Sequence, residues 1–323
     1  MKIGMLFPGY GSQFVGMAKD LYDDSRTVQE YFEEASSCLD INFIKLCFAS
    51  SDAEISQPMH AYLSLFLVQS ALSALLTKAG IAPTLVAGYG IGQFAAIHSA
   101  KGFTFPDGLY VLKKYAQFYE ETLETLNGAV IKVTGMTQED LEKSLALVKA
   151  TKTLAIAAYN TPTEFIVSGE AEDVETLREL LSKKKKVKVK SVDQAFGLHS
   201  NLMDSVVEQL SLYLGKVDFK ELNTPLSNNV NAEISAQPED TKKAVISQIF
   251  SPLLWDKSID NFKDVDVLIQ VGPGKEFEPL VRERYPDKKF VTLSQKSDIE
   301  ALKEIFPEVE LDLGLQTVSE PEE

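Results

Sequence analysis

The chain has 323 residues, 45% of them hydrophobic and 24% charged, enough to bury a sizeable core as one large domain with an insertion or as two domains. A formal net charge of −15 argues against a nucleic-acid partner, because phosphate contacts need clustered Lys and Arg. The two cysteines, Cys38 and Cys47, are too few for a disulfide framework or a thiolate metal site and are expected to be buried thiols in a reducing cytoplasm.

In chain order, "MKIGMLFPGYG" carries one Lys and an apolar run that stops at Pro8, too short for a secretory signal, so Lys2–Phe7 is predicted to be a first strand ending in a Gly-Tyr-Gly turn. Acidic helical segments follow around Thr27–Leu39. Met59 to Gly80 approaches membrane-spanning length, but Gln69, Lys78 and several hydroxyl residues interrupt it, and Pro58 and Gly80 bracket it as helix start and stop. It is therefore predicted to be a buried core helix, with no membrane partner.

A strand near Thr84–Ala87 continues the alternation of strand and helix, which implies a mainly parallel sheet covered on both faces. After the helix that starts near Asp107 the pattern changes. "GAVIKVTG", "QEDLEKSLALVKA", "TLAIAAYN", "EFIVSG", "AEDVETLRELLSK" and "KKVKVKSV" read as β, α, β, β, α, β, the split pattern of a ferredoxin-like unit. Alternation resumes with a helix at Leu202–Gly215, a strand near Thr224–Asn228, a helix around Thr241–Phe250 and a strand at Asp266–Val271.

The expected fold class is α/β: a mainly parallel, α/β-hydrolase-like large subdomain of residues 1–127 and 193–302, with a ferredoxin-like small subdomain of 128–192 inserted. Residues 303–323 close on "DLGLQTVSEPEE", which has no period and ends in acids, so a disordered tail is expected there.

"LVAGYGIGQFAAIHSA", Leu85 to Ala100, has the strand, glycine-rich turn and helix that hold a nucleophile at the tip of a sharp elbow, yet the central residue is Gly90. Its spacing G-x-G-x-G is not the dinucleotide fingerprint, and "GPGKE" at Gly272–Glu276 lacks the hydroxyl residue of a phosphate loop. His60, His98 and His199 form no pair at metal-ligand spacing, so no metal is expected. The run Lys183, Lys184, Lys185, Lys186, Lys188 and Lys190 is the one concentrated basic patch. It reads either as a solvated face that discourages edge pairing or as a landing strip for an acidic partner.

Seven segments in order resemble the malonyl-CoA:acyl carrier protein transacylases of fatty acid and polyketide synthesis, over about Met1 to Leu302. "FPGYGSQ" is similar to F-P-G-Q-G-S-Q, "EISQPMHAYLS" to a T-Q-P-A helix start, and "GYGIGQFAA" to the elbow G-H-S-L-G-E-[YF]-A-A. "NTPTEFIVSG" is similar to N-x-P-x-Q-x-V-I-S-G, "AFGLHSNLM" to A-F-H-S-x-L-M, "SPLLW" to N-P-V-x-W and "VGPGKEF" to x-G-P-G-x-x-L.

The resemblance implies an elbow Ser that attacks malonyl-CoA, a His base, an oxyanion hole and an Arg that pairs with the malonyl carboxylate. Carried over position by position, His199 matches the base, Gln13 the side chain beside the oxyanion hole, and Ile91 the backbone N–H after the elbow. Gly90 stands at the nucleophile position and Tyr115, with Lys114 beside it, where the Arg belongs. Tyr89 and Gln93 replace the elbow's His and Glu, and Tyr10 the first Gln of the N-terminal motif.

Three readings follow. One is a non-catalytic relative that binds acyl carrier protein or acyl-CoA, with coenzyme A thioester and phosphopantetheine as ligands, no permanent cofactor, and the lysine run as a carrier contact. Another is an acyltransferase or thioester hydrolase in which His199 activates water or thiol directly. The third takes an uncharged acyl group and uses an unrecognised nucleophile.

Overall fold

In the computed structural model, which describes residues 1–149, 153–193 and 197–314, the parallel sheet grows from β1 (Ile3–Phe7), whose five residues are all buried, as a strand covered on both faces must be. Beside it lie β2 (Leu85–Gly88) on one side and β9 (Val267–Val271) on the other, each parallel to β1. The sheet is completed by β7 (Leu226–Ser227), β8 (Ile234–Ser235) and β10 (Lys289–Leu293), in the order β10-β9-β1-β2-β7-β8. Among the described residues of this sheet, only the β7–β8 pair is antiparallel.

A second, antiparallel sheet has the order β4-β5-β3-β6, with β3 at Gly128–Thr134, β4 at Leu154–Thr161, β5 at Glu164–Glu170 and β6 at Lys188–Val192. Helices Gln138–Leu147 and Ala171–Ser182 follow β3 and β5, which is ferredoxin-like connectivity. Leu141, Val174, Leu177 and Leu181 from those helices pack with Ile131, Val133 and Val167 into a core separate from that of the parallel sheet. The two-sheet α/β architecture is the one read from the sequence.

The apolar helix runs from Pro58 to Lys78, with proline in its first turn where no N–H is needed. Every residue from Ala61 to Leu76 except Ala74 is buried, so the helix is the spine of the larger core. Its apolar length is spent on neighbours on all sides.

Two expectations are corrected. Cys38 is exposed, and only Cys47 is buried. The segment expected to be disordered from residue 303 is folded as far as Gly314: helix Ile299–Ile305 runs into it, and Val309, Leu311 and Leu313 pack against the larger core. Asp312 accepts a 2.5 Å hydrogen bond from Thr27 and pairs with Lys78 at 3.7 Å, while the Gly314 N–H donates to the Asp24 carbonyl. The apolar side chains at alternate positions 309, 311 and 313 are the signal that the missing helical period concealed. Residues 315–323 of that expected tail lie outside the described residues.

Candidate functional site

The elbow after β2 is dictated by its glycines. A Cβ at Gly88 would lie 2.2 Å from the Gln93 nitrogen, and one at Gly92 2.3 Å from the Phe7 carbonyl oxygen, so no larger residue fits either place. Between them Gly90 sits at φ +53°, in the left-handed region. Space is not the constraint here: a Cβ on Gly90 would meet only Leu253 Cδ1, at 3.8 Å.

Two further turns close on the elbow. The Tyr89 N–H donates to Phe7, and a Cβ on Gly9 would lie 2.3 Å from the Tyr89 carbonyl oxygen, which presses the turn after β1 against the elbow. Gln69 reaches from the core helix to donate to the Pro8 carbonyl at 2.6 Å and packs under Gly272, in the turn after β9. Because β9, β1 and β2 are adjacent and parallel, the three glycine-bearing turns meet at the carboxyl edge of the sheet, the usual position of α/β sites.

His199, 4% exposed and at φ +45°, donates from Nδ1 to the Gln248 carbonyl at 2.5 Å. A carbonyl only accepts, so this bond places the proton on Nδ1 and makes Nε2 the basic nitrogen. The ring lies over Gly197, where a Cβ would be 2.8 Å from Nε2.

The same Gln248 is joined to the elbow by buried amides. Asn229 donates from Nδ2 to the Gln248 side-chain oxygen and to the Gly88 carbonyl, each at 3.1 Å, and its backbone N–H donates to Gln93 Oε1 at 3.1 Å. All three amide residues are essentially without solvent contact. Elbow and imidazole are thus fixed to one another through neutral groups, with Gln93 an acceptor that carries no charge.

Asn229 and Gln248 are absent from the residues singled out in the sequence. Gln248 had a signal: in the helix Pro238–Phe250 it falls on the buried stripe of Thr241, Ala244, Val245 and Ile249, where an amide must have a polar partner. Of the segment "AFGLHSNLM", Ala195 and Phe196 lie outside the described residues.

Tyr115 is 3% exposed and sits in an aromatic cluster, its ring 5.5 Å from Tyr62, 6.1 Å from Tyr119 and 6.4 Å from Phe94. Burial pushes its phenol far above the usual range, so it is neutral. The ammonium of Lys114, next to it in the chain, bonds Gln117 and lies 5.1 Å over the Tyr213 ring. The chain's four arginines, Arg26, Arg178, Arg282 and Arg284, all pair with carboxylates elsewhere.

Tyr89 points away from the elbow tip. Its hydroxyl donates to Asn160 Oδ1 at 2.6 Å, Asn160 donates to Glu164 at 3.1 Å, and Lys132 pairs with Glu164 at 3.4 Å. These residues, with Trp255, Glu276 and the turn after β1, wall a cleft of about 660 Å³ between the two sheets. Burial raises the Glu276 carboxyl above its ordinary value.

The structure therefore brings Gln93 together with the His199 support and Tyr89 with the cleft, whereas Tyr115 lies in an aromatic cluster that reaches the cleft wall only through Tyr62, 6.4 Å from Tyr10. Gln13 accepts from the Gly11 N–H at 2.8 Å, and Ile91 leads directly into the helix Gly92–Ser99.

Residues 5–259 match the acyl transferase domain family, and the chain is 30% identical over 302 residues to the malonyl CoA-acyl carrier protein transacylase of Bacillus subtilis, covering 93% of this chain and 95% of that one. The chain belongs to the acyl transferase family. Among solved structures, the chain resembles MCAT from Streptococcus pneumoniae, with a TM-score of 0.87, 25% identity, and 94% of this chain and 100% of that one covered. PlMCAT, solved in complex with the type II PKS acyl-carrier protein AntF, shares the fold with a TM-score of 0.88 at 22% identity, covering 94% and 100%. The elbow of this chain and its imidazole are linked through Asn229 and Gln248.

Proposed function

We propose that this chain is a non-catalytic member of its family that binds thioesters of acyl carrier protein or coenzyme A and serves fatty acid or polyketide synthesis in the cytoplasm as a binding or regulatory component. Gly90 carries this reading. A covalent acyl-enzyme needs a side-chain oxygen or sulfur at the tip, and the residue there has none. Loss of such a nucleophile typically costs on the order of 10⁶ in kcat. In this reading Gln13 and the Ile91 N–H face the thioester carbonyl as they would an oxyanion, and the two thioesters are ligands that come and go. No resident cofactor is required.

The Nδ1 bond of His199 to Gln248 favours a second reading, in which Nε2 takes a proton from water or an incoming thiol and transfer proceeds without a covalent stage. Intact-mass spectrometry and free-thiol release after incubation with malonyl-CoA test both. No adduct and no released CoA is the expected result; release without adduct supports the second reading, and an adduct of malonyl mass on the protein refutes both.

A further inference from the structure

We propose that the cleft between the two sheets binds a small organic cation. Its ammonium is set against the carboxylates of Glu276 and Glu283, and its apolar body, which carries an oxygen acceptor, lies along Tyr89, Trp255 and Phe277. The inference goes beyond the thioester reading and does not depend on it.

The balance of charge is the first argument. Three carboxylates line the cleft, those of Glu164, Glu276 and Glu283, against one ammonium, that of Lys132. Lys132 pairs with Glu164 at 3.4 Å, and among the described residues no ion pair engages Glu276 or Glu283. On a chain of net charge −15 such a cleft repels anions and draws cations in. The Glu276 carboxylate folds back over Gly274, at φ +92°, where a Cβ would collide with it, so the turn after β9 holds the acid at the cleft wall. Burial raises the Glu276 carboxyl and Lys132 offsets only part of that, so a positive ligand beside it stabilises the charged form.

The apolar wall is the second argument. Trp255 and Phe277 stack with centroids 4.7 Å apart, and Tyr89 stands edge-on to Trp255 at 5.3 Å. Because the Tyr89 hydroxyl is fixed on Asn160, this wall is formed before any ligand arrives. Aromatic faces attract an ammonium, most strongly where water is excluded. The volume of about 660 Å³ is that of a small-molecule site.

Trp255 supplies an independent pointer. It is 2% exposed, and among the described residues its buried indole N–H has no hydrogen-bond partner. An indole N–H only donates, so the molecule that completes this wall brings an acceptor as well as its charge.

Trp255 is the chain's only tryptophan, so its fluorescence reports on the cleft. The test titrates the full chain with phenylalaninol, which joins an ammonium, a hydroxyl and a phenyl ring, and repeats each affinity by calorimetry. A saturable change is expected. Phenylpropanol, without the ammonium, is expected to bind about tenfold more weakly, phenethylamine, without the hydroxyl, about fivefold more weakly, and the anion phenyllactate not at all. The double variant Glu276→Gln/Glu283→Gln is expected to weaken phenylalaninol about tenfold and leave phenylpropanol unchanged. Glu300→Gln/Glu304→Gln, exposed outside the cleft, makes the same change in net charge and is expected to have no effect.

The absence of phenylalaninol binding overturns the cation site. Equal affinity for phenylalaninol and phenylpropanol, or undiminished affinity in the Glu276/Glu283 variant, overturns it as well. Displacement of phenylalaninol by coenzyme A overturns it in favour of an anion site. Thioester binding is read separately, from a malonyl-CoA titration of the same protein, and stands or falls on that result alone.

Discussion

Gly90→Ser places an oxygen at the tip of the elbow, and the structure sets what that substitution costs. The new Cβ meets Leu253 Cδ1 at 3.8 Å, an ordinary van der Waals contact, so no repacking is needed. The cost is conformational: a non-glycine residue at φ +53° gives up roughly 1–2 kcal/mol. For a chain of this size that corresponds to a fall in Tm of about 1.5–3 °C. The serine oxygen is then placed at the start of the helix Gly92–Ser99, on an elbow joined through Asn229 and Gln248 to the imidazole of His199. Intact mass after incubation with acetyl-CoA and malonyl-CoA reads the outcome. The variant is expected to gain an acyl adduct that the wild type does not. Acetyl is expected to be favoured, because the position expected to hold an arginine holds neutral Tyr115, and the missing charged hydrogen bond is worth about 1.5–3 kcal/mol, roughly ten- to a hundredfold in rate. A folded Gly90→Ser protein with no adduct from either thioester would refute the assignment of the elbow tip as an acyl-accepting position.

Asn229→Ala removes the donor shared by the Gly88 carbonyl and the Gln248 side chain, leaving two buried acceptors unmet; denaturant unfolding should show a loss of about 2–6 kcal/mol. Tyr115→Arg alone places a guanidinium among Tyr62, Phe94 and Tyr119, and the same assay should show a loss of about 3–5 kcal/mol, the cost of an uncompensated buried charge. Burial lowers the His98 pKa from 6.5 to about 4, so between those values the unfolded chain binds the extra proton and stability falls as pH drops. His98→Phe, which keeps the contacts with Phe66 and Phe105, should remove most of that slope, worth about 3 kcal/mol over the whole window, from urea midpoints measured between pH 7 and 4. Native protein should titrate with Ellman's reagent at Cys38 only, because Cys47 is buried and its thiol is pushed up to about 12; reaction of both thiols without unfolding would contradict the packing around Cys47.

The fold was legible because its signals are local. Alternating strands and helices, the βαββαβ run and the Pro58 and Gly80 brackets each act over a few residues, and the architecture follows from their order. The elbow was legible for a stricter reason: a Cβ at 88 or 92 would fall 2.2 or 2.3 Å from backbone atoms, which leaves no choice but glycine at either place. The support of His199 was not legible, since the Asn229 N–H reaches Gln93 across 136 positions of chain and the amides carry no charge or period to mark them. Counting along the helix located Tyr115 without revealing that Tyr62, Tyr119 and Phe94 enclose it. The packed segment 306–314 was missed because three alternating apolar residues are too few to announce themselves. What holds the elbow in shape is the Tyr89 N–H on Phe7, the Asn229 side chain on Gly88 and the close approach of Gly92 to the first turn. None of these involves a side chain at position 90. The scaffold is therefore indifferent to the nucleophile it would display, and a glycine at the tip even relieves left-handed strain. Fold and family are carried by contacts that do not involve position 90, so the identity of this chain and its chemistry must be argued from different residues.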